Sequence, residues 1–123
     1  MILDTTFVID LLNNQAEAIQ FLKKLEETPL KTTSITAYEV HQSTREHEKV
    51  RVRQFFKCIP VLSFTYEDAE EAGRIARSLK QEGKTINAED CMIASIALRE
   101  NAPILTRNIK HFSRIQGLRV VKH

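Results

Sequence analysis

A chain of 123 residues lies within the usual size of one domain and can bury a real core without metal clips or disulfides, so a single domain over residues 1–123 is expected. Apolar residues make up 42% and charged residues 28%, with three Gly and three Pro, which excludes a disordered or fibrous chain. Eighteen basic against sixteen acidic residues leave a net charge of +2, too weak a whole-molecule field to argue for nucleic acid, so local patches must carry any such case.

Ile2-Leu3 before Asp4 reads as a short buried strand, and Phe7, Val8, Leu11 and Leu12 then recur at helical spacing up to Asn13-Asn14. Ala18, Ile19, Leu22 and Leu25 give a second apolar helix face that ends near Pro29, and Thr32 to Ile35 has the β-branched content of a strand. Thr36 to about Cys58 is helical, as two helices or one that bends near His47, with Arg45, Lys49 and Arg53 at four-residue intervals on one expected face. Val61-Leu62 is a brief third strand. Thr65 opens a long helix with Ala69, Ala72, Ile75, Ala76 and Leu79 on one side and Gly83 just past its end. Asn87 to about Arg99 is a further helix, Pro103 to Thr106 a buried strand and Gly117 to Val121 a last one.

Strands that alternate with helices and read as continuous apolar runs predict a three-layer α/β/α sandwich around a mainly parallel sheet. Ligands of such folds sit beyond the carboxyl ends of the strands. No apolar run approaches the ~20 residues that span a bilayer, and Met-Ile-Leu-Asp at the start is no basic-then-apolar leader, so a cytoplasmic location and no membrane partner are expected. Cys58 and Cys91, far apart and in apolar contexts, are expected to be free thiols.

Three scattered glycines build neither a P-loop nor a dinucleotide fingerprint, and no Gly-x-Ser-x-Gly elbow exists. The four histidines lack the paired helical spacing of a zinc site. What remains is acid placement: Asp4 at the tip of a strand, Glu39 and Asp90 each near the start of a helix, all able to meet at one sheet edge. The structural alternative is plain, because Thr36-Ala-Tyr-Glu39 reads as a capping box and Asn87-Ala-Glu-Asp90 puts an acid where a helix dipole favours it. Thr65-Tyr-Glu-Asp68 has the same form. Asp4, followed by two hydroxyls, stands out more, although it too can N-cap the helix that follows. Spacing alone leaves both readings open for Glu39 and Asp90.

Several segments carry a family resemblance. Met-Ile-Leu-Asp4-Thr5-Thr6-Phe-Val-Ile-Asp10-Leu-Leu resembles the first strand and acid of PIN domains, and Ser34-Ile-Thr-Ala-Tyr-Glu39-Val the segment with their second acid. Ile86-Asn-Ala-Glu-Asp90-Cys-Met-Ile-Ala-Ser-Ile-Ala resembles the helix of the third acid, and Pro103-Ile-Leu-Thr106-Arg107-Asn108-Ile-Lys-His-Phe112 the strand and turn after it. From end to end the chain resembles the PIN-domain superfamily, in particular VapC-type toxins of VapBC toxin–antitoxin pairs.

That resemblance implies that Asp4, Glu39 and Asp90 bind metal and that Thr6 and Thr106 orient water or a carboxylate. Glu89 and Asp68 are then caps or surface. Asn108 stands in the catalytic set where many relatives carry Asp, and His111 where many carry an acid, so a second ion loses ligands; Asp10 and His111 read as surface residues. Oxygen-only ligands suit Mg²⁺ or Mn²⁺, and clustered carboxylates need such a charge beside them. The implied activity is metal-dependent hydrolysis of phosphodiester bonds in single-stranded or looped RNA, leaving 5′-phosphate and 3′-hydroxyl ends. Arg107, Lys110 and Arg114 would meet RNA at the rim, with Arg45, Lys49 and Arg53 farther along. The implied partners are RNA, a VapB-type antitoxin whose tail occludes the acidic groove, and a second copy in a homodimer. Ile19, Leu22 and Phe55 are candidates for interface, although core is the simpler reading for them.

Rival readings meet specific obstacles. A receiver-like phosphoacceptor needs an Asp at the third strand, where Val61-Leu62-Ser63-Phe64 supplies none, and a haloacid-dehalogenase-type phosphatase needs one at the position of Thr6. No two histidines are paired for a metal-free ribonuclease. A PIN fold that binds RNA or protein without cutting, and an RNA-processing nuclease outside any toxin–antitoxin pair, stay open.

Overall fold

A computed structural model describes Met1–His123. Five short strands, β1 (Ile2–Leu3), β2 (Thr32–Thr33), β3 (Val61–Leu62), β4 (Ile104–Thr106) and β5 (Val120–Lys122), pair only in parallel. β4 lies between β1 and β5, β2 pairs with β3, and a single bridge between Ile2 and Lys31 joins the two parts in the order β3-β2-β1-β4-β5. Leu3 N–H to the Lys31 carbonyl at 2.8 Å and Lys31 N–H to the Met1 carbonyl at 3.0 Å make that bridge.

The helices are α1 (Thr5–Leu12), α2 (Ala16–Lys24), α3 (Ser34–Ser43), α4 (Lys49–Lys57), α5 (Tyr66–Gln81), α6 (Ala88–Arg99) and the one-turn α7 (Ile109–Phe112). Leu105 packs with Leu3, Phe7, Val8, Ala18, Val40 and Val52, whereas its neighbour Ile104 packs with Ile75, Leu79, Ile93 and Phe112. Alternating side chains of one strand thus feed two cores, which is what a sheet covered on both faces requires. The expected sandwich is present: α1–α4 supply most of one outer layer and α5–α7 the other.

Two helix expectations change. Arg45 lies before a 3₁₀ turn over Glu46–Glu48, and α4 starts only at Lys49, so Arg45 does not share one continuous face with Lys49 and Arg53. Lys49 is paired with Glu46 at 2.8 Å. On α5, Ala72, Ile75 and Leu79 are buried, but Ala69 and Ala76 are exposed and line a shallow apolar cavity with Phe64 and Met92. Gly83, at φ +69°, follows the C-cap of α5 and takes the left-handed backbone a side chain resists. Leu22 and Phe55 are half-buried against the first core, as the simpler reading had them, and both cysteines are free, with Cys58 exposed and Cys91 buried. No helix is long and apolar enough to cross a membrane.

Candidate active site

Asp4 follows β1 and occupies the N-cap position of α1, yet its side chain caps nothing. Its Oδ2 instead accepts from the Thr106 hydroxyl at 2.6 Å and the Thr6 hydroxyl at 3.1 Å. Asp4 and Thr106 are 2% and 0% exposed, so the bond between them forms out of bulk water, where leaving an acceptor unpaired is expensive. The Thr6 hydroxyl also accepts from Arg107 N–H at 3.1 Å, which ties α1 to the end of β4.

Glu39 sits in the second turn of α3, not the first. The helix begins at Ser34 and its cap is Thr33, whose side chain accepts from Thr36 N–H at 3.1 Å, so the expected Thr36–Glu39 box does not form. Freed from capping, Glu39 Oε1 accepts from the Thr5 hydroxyl at 2.7 Å. The Thr5 hydroxyl also lies 3.1 Å from the Thr36 hydroxyl. Thr5 is the partner that sequence reading missed. The signal was the pair of hydroxyls after Asp4: successive residues in the first turn of a helix point about 100° apart, so one can face β4 and the other α3.

Asp90 lies in the first turn of α6, but Asn87 makes no side-chain capping bond. Asp90 Oδ2 is held from elsewhere, by Asn108 Nδ2 at 3.1 Å and His111 Nδ1 at 3.3 Å. Asn108 Nδ2 is also 2.9 Å from His111 Nδ1, and Asn108 N–H donates to the Thr106 hydroxyl at 2.9 Å. A chain of hydrogen bonds therefore runs from Asp4 through Thr106 and Asn108 to Asp90, and His111, expected at the surface, belongs to it. Of the three box-like acids, only Asp68 is a true cap. Thr65 and Asp68 satisfy one another's backbone N–H groups, and Arg99 pairs with Asp68.

Burial pushes the Glu39 carboxyl above its ordinary value; the Thr5 hydrogen bond opposes this, and the charges of Asp4, Asp90 and Glu89 add to it. Burial also raises Asp90, Asp4 adds to that, and His111 pulls the other way. The three acids thus feel one another, as like charges in a partly desolvated place must. Neither Asp4 nor Glu39 has an ion-pair partner within the chain. The donor chemistry, carboxylate oxygen beside unbalanced negative charge, suits a hard divalent cation. As the side chains stand, no three His, Cys, Asp or Glu are gathered to hold one ion together, each acid being drawn to its own hydroxyl, amide or imidazole partner.

Around the acids the expected cations differ in freedom. Arg107 is exposed, and its Nε lies 2.9 Å from Asp10 Oδ2. Asp10, expected to be a solvated helix residue, is paired and only 15% exposed at its side chain. Lys110 is exposed, whereas Arg114 Nη1 reaches the carbonyls of Lys84 and Thr85 in the α5–α6 connection at 3.3 Å and 3.2 Å.

A family model described as PIN domain matches residues 1–118. Ribonuclease VapC1 of Methanocaldococcus jannaschii is 32% identical over 98% of this chain and 85% of its own length. The chain belongs to the PIN-domain family of VapC ribonucleases. Ribonuclease VapC19 of Mycobacterium tuberculosis is 27% identical over 95% of each chain. Among solved structures, VapBC2 from Rickettsia felis bound to a DNA fragment from its promoter superposes with a TM-score of 0.84 at 26% identity, covering 99% of this PIN domain and 97% of the other chain. DNA-bound VapBC from Salmonella typhimurium gives 0.84 at 28% identity over 98% and 96%. The PIN fold read from the sequence is therefore the fold observed.

Proposed function

We propose that this PIN domain is a divalent-metal-dependent endoribonuclease that hydrolyses single-stranded or looped RNA as the toxin of a VapBC-type pair. What supports the reading is that Asp4, Glu39 and Asp90 lie near enough to repel one another in a partly desolvated place, with burial and that repulsion raising Glu39 and Asp90. Asp4, Glu39 and Asp90 would hold Mg²⁺ or Mn²⁺, which supplies an acidified water and polarises the phosphoryl group. Thr106 and Thr6 fix the Asp4 carboxylate, Thr5 fixes Glu39, and Asn108 with His111 fixes Asp90, so each acid is presented from one oriented rotamer. An exposed strand of RNA reaches this recess where a duplex would hold its phosphates away.

The names of the structural neighbours support a VapB-type antitoxin as partner; a homodimer is the assembly proposed for the toxin itself. A second reading, an RNA- or protein-binding PIN domain that does not cut, is favoured by the absence of a ready three-residue ion site.

The test is cleavage of a mixed single-stranded RNA panel by antitoxin-free protein in Mg²⁺ or Mn²⁺, with EDTA and Asp90→Asn as controls. Cleavage that needs both metal and Asp90 supports the nuclease. Cleavage that persists in EDTA sinks the metal mechanism, and folded protein that binds without cutting moves the second reading ahead.

A further inference from the structure

Arg107 touches two successive turns of α1. Its backbone N–H meets the Thr6 hydroxyl at 3.1 Å, and its guanidinium Nε meets Asp10 Oδ2 at 2.9 Å. Thr6 and Asp10 are four apart, on the same helix face, so the guanidinium is laid along α1 about one turn, ~5.4 Å, from the hydroxyl that binds Asp4. Only Nε is taken. The two terminal nitrogens make no hydrogen bond to the protein, and the side chain stays 56% exposed. A guanidinium anchored by one carboxylate, with its terminal nitrogens making no hydrogen bond to the protein, can still offer two parallel bonds to a phosphate.

We propose that Arg107 binds the phosphate of a nucleotide next to the scissile one, and that Asp10 is the positioning residue that aims it. This rests on the RNA-cleaving reading above and adds a subsite to it. Charge alone does not make this a phosphate site. Arg107 shares a cavity of about 220 Å³ with Asp10 and Glu17, two acids against one guanidinium. Phosphate binding there depends on where the fork points, not on a surplus of positive charge. A repulsive Asp10 and a positioning Asp10 therefore predict opposite signs when it is removed.

The experiment measures affinity of the full chain for a labelled, non-cleavable 2′-O-methyl oligonucleotide in EDTA, with kcat and KM for unmodified RNA in Mn²⁺ read in parallel. Arg107→Ala should weaken binding about 10-fold and lower the magnitude of the salt slope by about 0.7, the value of one lost single-strand phosphate contact. Asp10→Ala should weaken binding several-fold with KM moving more than kcat, although it deletes a negative charge, and Asp10→Glu, which keeps a carboxylate to pair with the guanidinium, should restore most of the affinity. Equal or tighter binding by Asp10→Ala overturns the proposal, as does an unchanged salt slope in Arg107→Ala, and native cleavage in the same preparation leaves the nuclease reading intact. Native protein that neither binds nor cleaves RNA overturns both.

Discussion

The Asn108 side-chain amide donates to Asp90 Oδ2 across 3.1 Å. This neutral donor steadies the Asp90 carboxylate, which another negative charge at the same place would repel. His111, within 3.3 Å of the same oxygen, reinforces this.

Asn108→Asp should reverse that relationship. It replaces a donor by an acceptor beside a half-desolvated carboxylate, at a cost of about 1–3 kcal/mol. Thermal melts in EDTA should show a Tm several degrees below native, with the deficit narrowing on addition of Mn²⁺. A variant as stable as native in EDTA would mean that Asn108 and Asp90 are not coupled in solution.

Raised carboxyls make a pH prediction whose sign is fixed. Glu39 and Asp90 bind protons more tightly folded than unfolded, so their contribution is most favourable below the unfolded value and is lost as pH rises through the folded value. At neutral pH both are net liabilities to folding in the absence of metal. Glu39→Gln, whose amide oxygen still accepts from Thr5, should therefore match or exceed native Tm at pH 7.5 in EDTA and lose that advantage at about pH 4. A variant less stable than native at pH 7.5 but equal to it at pH 4 would contradict the assignment.

Thr106→Val should damage the site through its frame. The hydroxyl donates to Asp4, accepts from Asn108 N–H and lies 3.3 Å from the Thr6 hydroxyl, all at zero exposure. Its loss leaves a buried N–H unpaired and should cost about 1–3 kcal/mol in chemical denaturation and about 10–100-fold in cleavage. Thr106→Ser should recover most of both. If Ser fails as badly as Val, the methyl packing and not the hydroxyl is what matters at this position.

Strand and helix existence was legible because apolar runs and periodicity report burial, which the tertiary fold then used as expected. The Thr65–Asp68 box was legible because both partners lie within one turn. The mistaken Thr36–Glu39 box shows the weakness of the same signal: Thr33, Ser34 and Thr36 can all cap, and β2 runs straight into α3, so the helix starts two residues earlier. Asn108, His111 and Asp90 are 18 and 21 residues apart, and no local rule makes them meet. Asp10 likewise looked like a solvated helix residue, with nothing local to link it to Arg107, until β4 was laid beside α1. Side-chain partners across layers were the illegible part, because packing, not propensity, chooses them.

The bond between Asp4 and Thr106 joins residues 102 positions apart. In synthesis Asp4 emerges well before its hydroxyl partner, with most of the PIN domain made between them. Only when β4 has slotted between β1 and β5 do the cleft's two halves exist at the same time. A polypeptide that stops short of β4 thus leaves Asp4 without the hydroxyl that orients it.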